Sequence, residues 1–243
     1  MVGGRTGQEY RARRAAASPE SRKSAPNRRI RVGGPAVLSP VTCPAPPAVL
    51  LDMDGTLTVP HLDFPAIRRE IGLRSGVPIL EAIDALPPDD RPAAHAVVDR
   101  HEEEAAAASE LADGCHELLD YLAQRPLPYA VVTRNSRRSV ETVWNRHDLP
   151  PCVCVTRDDA VHKPDPAPLR LACERLGVGD AGVWMIGDGP HDVEAGNAAG
   201  MKSVWLSLNR TERPFAAEPW RTVEDLGGVL ALLRACRPLQ GTT

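Results

Sequence analysis

Asp52 and Asp54 stand two residues apart in the run Asp52-Met53-Asp54-Gly55-Thr56-Leu57-Thr58, directly after the apolar stretch Ala48–Leu51. If an extended conformation persists there, residues i and i+2 point the same way and bring two like charges together. Neighbouring carboxylates repel unless a cation or a shared proton relieves them. A second acidic cluster, Gly187-Asp188-Gly189-Pro190-His191-Asp192, follows the apolar stretch Val183–Ile186. Gathered in one crevice, Asp52, Asp54, Asp188 and Asp192 form an all-oxygen set of the kind Mg²⁺ prefers, with a few carboxylates at roughly 2.0–2.1 Å and waters completing the coordination. Two more polar clusters follow apolar runs in the same way. These are Thr133-Arg134-Asn135-Ser136 after Tyr129–Val132, and His162-Lys163-Pro164-Asp165-Pro166 shortly after Cys152–Val155. A lone Asp-x-Asp-Gly is usually a turn. Four clusters in order, each near the end of an apolar run, point to a site.

Parallel strands would bring such clusters together, because ligands in open parallel sheets bind outside the carboxyl ends of the strands. Ala48–Leu51, Tyr129–Val132, Cys152–Val155, Val183–Ile186 and Val204–Leu208 are short continuous apolar runs, the pattern of strands covered on both faces. Helical spacing lies between them: Cys115, Leu118, Leu119 and Leu122 fall at i, i+3, i+4 and i+7, as do Leu169, Ala172, Cys173 and Leu176, with Gly177 as a stop. Leu226, Val229, Leu230 and Leu233 repeat the spacing. Strand alternating with helix predicts an α/β fold, a Rossmann-like doubly wound parallel sheet with right-handed crossovers. Residues 58–112 break the rhythm with three helical patterns, Phe64–Ile71, Ile79–Leu86 and Ala93–Leu111. That interval is too long for a plain connection and predicts an inserted helical cap, with the core formed by 45–57 and 113–243.

Composition narrows the function classes. Apolar residues make up 42% and charged residues 25% of the 243, as in ordinary globular chains. No window approaches the roughly 18 apolar residues of a membrane span, and no partnership with a membrane is expected. The net charge of −3 is unevenly spread: residues 1–40 carry nine basic and two acidic side chains, leaving an acidic body poorly suited to a nucleic-acid partner. Residues 1–44, rich in Arg, Ser, Ala, Gly and Pro, read as an organellar transit peptide, or else as a disordered basic extension or the product of a misplaced start. The first reading implies a plastid or mitochondrial location, the second a cytoplasmic one. The six cysteines are scattered without a Cys-x-x-Cys pair, so buried reduced thiols are expected rather than a zinc site or a disulfide framework.

Asp-x-Asp-Gly-Thr followed by a hydrophobic residue and Thr, then Thr133, then Lys163-Pro164, then Gly-Asp-x-x-x-Asp resembles the haloacid dehalogenase-like superfamily, over about residues 47–210. The order is similar to its phosphoglycolate-phosphatase-like branch with a small helical cap, and Asp52–Pro60 resembles small plant and algal members. The resemblance implies a Mg²⁺-dependent phosphatase acting on a small phosphorylated metabolite. Asp52 would be the nucleophile that forms an aspartyl-phosphate, and Asp54 the general acid and base. Mg²⁺ would sit on Asp52, the Asp54 backbone carbonyl and Asp188, with Asp192 behind the ion or orienting Lys163. Thr133 would donate to the phosphoryl group beside backbone N–H groups near Arg134 and Asn135, where a helix begins. Lys163 would neutralise the phosphate and Asp52, and Gly55 would let the chain turn away close to the phosphate.

Plainer roles stand beside these. Thr133 could cap the following helix, Lys163 could be a surface lysine, Asp192 a helix N-terminal acid, and Arg134 a grip on substrate or a solvated side chain. His162 and His191 read as bystanders, and Glu102–Glu104 as a solvated helix face. Arg68, Arg69, Arg74 and Ser75 are candidates to face the far end of the substrate. Gly189 replaces the Ser of many relatives, and Asp54 disfavours dehalogenation and ion pumping, since the relatives that carry out those reactions lack this acid. A phosphomutase of the β-phosphoglucomutase type and a non-catalytic regulatory member of the same fold are the competing functions.

Overall fold

In the computed structural model, residues 44–74 and 76–236 are described; most of the basic tail, Cys43 and Ser75 lie outside them. The strands are β1 (Val49–Leu51), β2 (Tyr129–Val132), β3 (Val153–Val155), β4 (Trp184–Gly187), β5 (Lys202–Leu206) and β6 (Arg221–Val223). The helices are α1 (Phe64–Ile71), α2 (Ile79–Asp84), α3 (Arg91–Ala108), α4 (Cys115–Ala123), α5 (Arg137–His147), α6 (Ala167–Leu176), α7 (Pro190–Ala198) and α8 (Leu226–Ala235). All six strands are parallel, in the order β3-β2-β1-β4-β5-β6. This is a doubly wound sheet whose direction of winding reverses between β1 and β4.

The strand runs are continuously apolar because both faces are covered. Val49 and Leu51 of β1 join Trp184 and Ile186 of β4 in one core with α4, α5 and α8. Ala48, Leu50, Val183 and Met185 point the other way, into a core with α6 and α7. Each fully buried Leu, Val or Ile contributes about 1.5–3 kcal/mol of transfer free energy. A third cluster is separate: Ile67, Ile79, Leu80, Ile83, Ala94 and Val98 pack α1, α2 and α3 on one another. Among the described residues, no helix is long and apolar enough to cross a membrane.

Cys115, Cys152, Cys154 and Cys173 are buried free thiols, and burial pushes Cys115 and Cys173 up to about 12. The sequence pattern missed β6, whose Arg-Thr-Val carries no apolar run, and gave α5 and α7 no bounds.

Candidate active site

Register explains why distant acids meet. Leu51 pairs with Ile186 across β1 and β4, and the Asp52 N–H donates to the Ile186 carbonyl at 2.9 Å. Asp52 and Asp188 therefore leave adjacent strands at the reversal point of the sheet. One carboxylate oxygen from each of Asp52, Asp188 and Asp192 lies within 4.8 Å of the others. Gly55 and Gly187 are what permit this crowding. At Gly55, with φ at +80°, a Cβ would fall 2.5 Å from Asp188 Oδ1, and at Gly187 one would fall 2.2 Å from the Asp192 carboxylate. The glycine after Asp54 thus makes room for a carboxylate as well as for a turn.

Lys163 is no surface residue: it is 1% exposed. Its Nζ donates to Asp52 Oδ1 at 2.7 Å, to Asp192 Oδ1 at 2.6 Å and to the Val132 carbonyl at 2.6 Å. Burial works against the ammonium, yet Asp192 and Asp52 outweigh it and raise its pKa. Asp192 holds the Gly189 N–H with its other oxygen at 3.1 Å, so it is at once a helix N-terminal acid and the orienter of Lys163.

Burial, with Asp192 adding repulsion, pushes Asp52 up to about 8 despite Lys163. Asp188 rises to about 6 for the same two reasons, opposed by Arg210. These carboxylates are uncomfortable as anions and would be relieved by a cation.

Asp54 is turned to different partners. Its Oδ1 accepts from Thr58 Oγ1 at 2.9 Å and its Oδ2 from Asn135 Nδ2 at 2.7 Å. Burial still raises its pKa over these two hydrogen bonds. Its side chain is outside the three-carboxylate group, so only its main chain is left for the metal role expected of it.

Thr133 is buried, and its Oγ accepts from the Asn135 N–H at 3.2 Å. The cap of α5 is Ser136, whose hydroxyl accepts from the Ser139 N–H, so capping does not explain Thr133. The expected anion site at this helix start is partly filled from within. The N–H groups of Ser136 and Arg137 donate to Glu102 at 3.1 Å and Asp158 at 2.8 Å. Arg134 neither grips open space nor lies in solvent. It forks onto Glu81 of α2 at 2.9 and 2.7 Å and donates to the Lys163 carbonyl at 2.8 Å.

These residues line one cleft of about 410 Å³ beneath α1 and α2, with His61, Leu62, Phe64, Arg68 and Ile79 opposite the carboxylates. Arg68 lines it, whereas Arg69 and Arg74 do not, and Ser75 lies outside the described residues. His191 also lines it and is kept neutral, because burial and then Arg134 bring it down to about 4. His162 instead faces Asp84 and Glu81.

The solvated-face reading of Glu102–Glu104 fails at Glu102. That residue is 4% exposed and lies against Arg157 at 2.6 Å. The sequence also gave no sign of Arg210 and Trp205, which donate to the Asp188 carbonyl at 2.7 and 3.0 Å. Thr58 and Asn135 were inside recognised motifs, but nothing in their spacing aimed them at Asp54.

A model of the haloacid dehalogenase-like hydrolase family matches residues 61–206. The chain belongs to that family. The match covers Thr133, Lys163, Asp188 and Asp192 and begins after Asp52 and Asp54, which the sheet brings to the same place. An N-acetylmuramic acid 6-phosphate phosphatase of Pseudomonas aeruginosa is 33% identical over 65% of this chain and 80% of its own length. A phosphoglycolate phosphatase of Rhodospirillum rubrum is 29% identical over 71% and 84%. In fold, a hydrolase from Pseudomonas syringae superposes with a TM-score of 0.67 at 20% identity, over 77% of this chain and 97% of that one. This haloacid dehalogenase-like hydrolase therefore has relatives named for phosphomonoester hydrolysis in two organisms.

Proposed function

We propose that the chain is a Mg²⁺-dependent phosphatase that hydrolyses a small phosphorylated metabolite through an aspartyl-phosphate on Asp52. The observation that carries this is the meeting of one carboxylate oxygen each from Asp52, Asp188 and Asp192 within 4.8 Å of one another, with the Lys163 ammonium on Asp52 and Asp192. Three carboxylates against two cations, the buried Lys163 and the more exposed Arg210 beside Asp188, leave excess negative charge, and an all-oxygen donor set suits a hard divalent ion. The residues fit it: Asp52 and Asp188 would hold Mg²⁺ together with the Asp54 carbonyl, while Asp192 acts from behind through Lys163. When bound, the ion neutralises carboxylate and phosphate charge and so lets one anion approach another.

The chain's own groups supply the rest. Asp52, steadied on one oxygen by Lys163, offers the other to phosphorus and displaces the alcohol. Asp54, with its pKa raised by burial, is suited to give a proton to the departing oxygen and then to take one from the attacking water. Thr133, accepting from the Asn135 N–H, keeps its own proton to donate to the phosphoryl oxygens. Helices α1–α3 serve as the cap that closes the cleft over the reaction and limits water. The two phosphatase relatives support this reading over the mutase and regulatory alternatives.

The test is hydrolysis of p-nitrophenyl phosphate with Mg²⁺ and then with excess chelator. Wild-type activity should vanish with chelator and return with added Mg²⁺, and Asp52→Asn should be inactive under both conditions. Full activity of Asp52→Asn would rule the mechanism out.

A further inference from the structure

At the wall of the same cleft, where Glu102 lines it with Asp54 and Asn135, lies a second charge cluster to which the proposed reaction gives no part. Arg157 follows β3, and its side chain is 9% exposed. Its Nη1 donates to both Glu102 oxygens, at 2.6 and 2.7 Å, and to the Arg134 carbonyl at 3.0 Å, while Nη2 reaches Asp99. Its backbone N–H donates to the Asn135 carbonyl at 3.2 Å. Glu102, on α3, also accepts the Ser136 N–H at 3.1 Å. The three residues Arg134, Asn135 and Ser136 are therefore gripped through main-chain atoms by one buried pair. The same segment sends the Asn135 side chain to Asp54 at 2.7 Å.

We propose that Glu102 and Arg157 are positioning residues that act through Asn135 to aim the Asp54 carboxyl at the departing oxygen. The assignment rests on the reading of Asp54 as the general acid. An Arg fork held by two carboxylates and a carbonyl is rigid in a way that a single ammonium is not. Two short hydrogen bonds tie the pair, and Arg157 opposes the rise that burial imposes on the Glu102 carboxyl's pKa. Because Glu102 and Asp99 belong to α3, the aim of Asp54 also depends on how that helix sits against the sheet.

A misaimed acid has a recognisable signature. Proton donation matters most when the departing alcohol is a poor leaving group and least when it is nitrophenolate. The experiment measures kcat/KM, which reports the steps through departure of the alcohol and not the later hydrolysis of the aspartyl-phosphate, for p-nitrophenyl phosphate and for ethyl phosphate, with Mg²⁺, in the wild type, Asp54→Asn, Arg157→Met and Arg157→Lys. Asp54→Asn should raise the nitrophenyl-to-ethyl ratio strongly. Arg157→Met should raise it about tenfold or more, since small misplacement of a catalytic group is enough to slow proton transfer. Arg157→Lys keeps a cation beside Glu102, which secures folding, and should raise the ratio by less. If Asp54→Asn skews the ratio while both Arg157 variants slow the two substrates equally, the positioning role is overturned and Asp54 as acid survives. If Asp54→Asn leaves the ratio unchanged, the reading of Asp54 falls and the positioning role falls with it.

Discussion

Lys163 carries the electrostatics of the site from a position where a lysine is rarely found. Nearly every polar hydrogen it owns is spent on Asp52, Asp192 and the Val132 carbonyl. Replacing it with methionine would keep much of the volume but leave two buried carboxylates facing each other. Loss of one partner from a buried ion pair costs about 3–5 kcal/mol. Thermal unfolding of Lys163→Met should show a clearly lower melting temperature, with the deficit smaller in Mg²⁺ than in chelator, because the ion restores part of the missing positive charge. An unchanged melting temperature would mean that the pairs contribute nothing. Most of this level was legible in the sequence. The acids and the lysine were visible because each follows an apolar run. Glu102 was misread because its neighbours Glu103 and Glu104 are charged too, and a helix shows one face to the core whatever its local composition.

At the scale of elements, the loop after β3 is held by one carboxylate. Asp159 accepts from the Thr156 N–H and hydroxyl, both at 2.8 Å, from Arg175 at 2.8 Å, and from Arg137 of α5. Partial burial opposes its ionisation, but the Thr156 backbone, Arg175, the Thr156 hydroxyl and Arg137 together hold it well below the ordinary 3.8. Its stabilisation is fully present above 3.8 and is lost as pH falls through the lower folded-state value. Chemical denaturation of wild type and Asp159→Asn should therefore differ by a constant amount from pH 5 upward and converge as pH drops further. A gap that widened on acidification would contradict this. The helices on either side show what pattern reading could and could not find. In α6, Leu169, Ala172 and Cys173 mark a stripe, whereas α7 buries Asp192, Val193, Ala195 and Gly196, too small and polar to register as one. The edge strand β6 is three residues with its first two exposed, so it carried no signal of burial at all.

Over the whole molecule, the alternation of strand and helix marked a parallel doubly wound sheet without fixing its strand order, and the interruption after β1 marked where extra helices enter. What no spacing could supply was how those helices sit on the sheet. That depends on pairs such as Arg134 with Glu81 and Arg157 with Glu102, far apart in the chain. The separate apolar cluster of α1–α3 also makes this part of the molecule a distinct unit of stability. Ile83 is fully buried in it, and Ile83→Ala should cost about 2–5 kcal/mol locally. Amide hydrogen exchange should accelerate across α1–α3 in this variant while β1, β2 and β4 stay protected. Equal acceleration in the strands would instead mean one indivisible core.

The most direct check is chemical. An acyl-phosphate on a carboxylate is reduced by borohydride to an alcohol, which turns the aspartate that carried it into homoserine. The enzyme, quenched while turning over p-nitrophenyl phosphate with Mg²⁺, should yield homoserine at position 52 in the peptide mass spectrum. The yield should be higher in Asp54→Asn, where loss of the base slows hydrolysis of the intermediate, and zero with chelator. Homoserine at position 54 or at another acid, or none in either protein under rapid turnover, would contradict attack by Asp52.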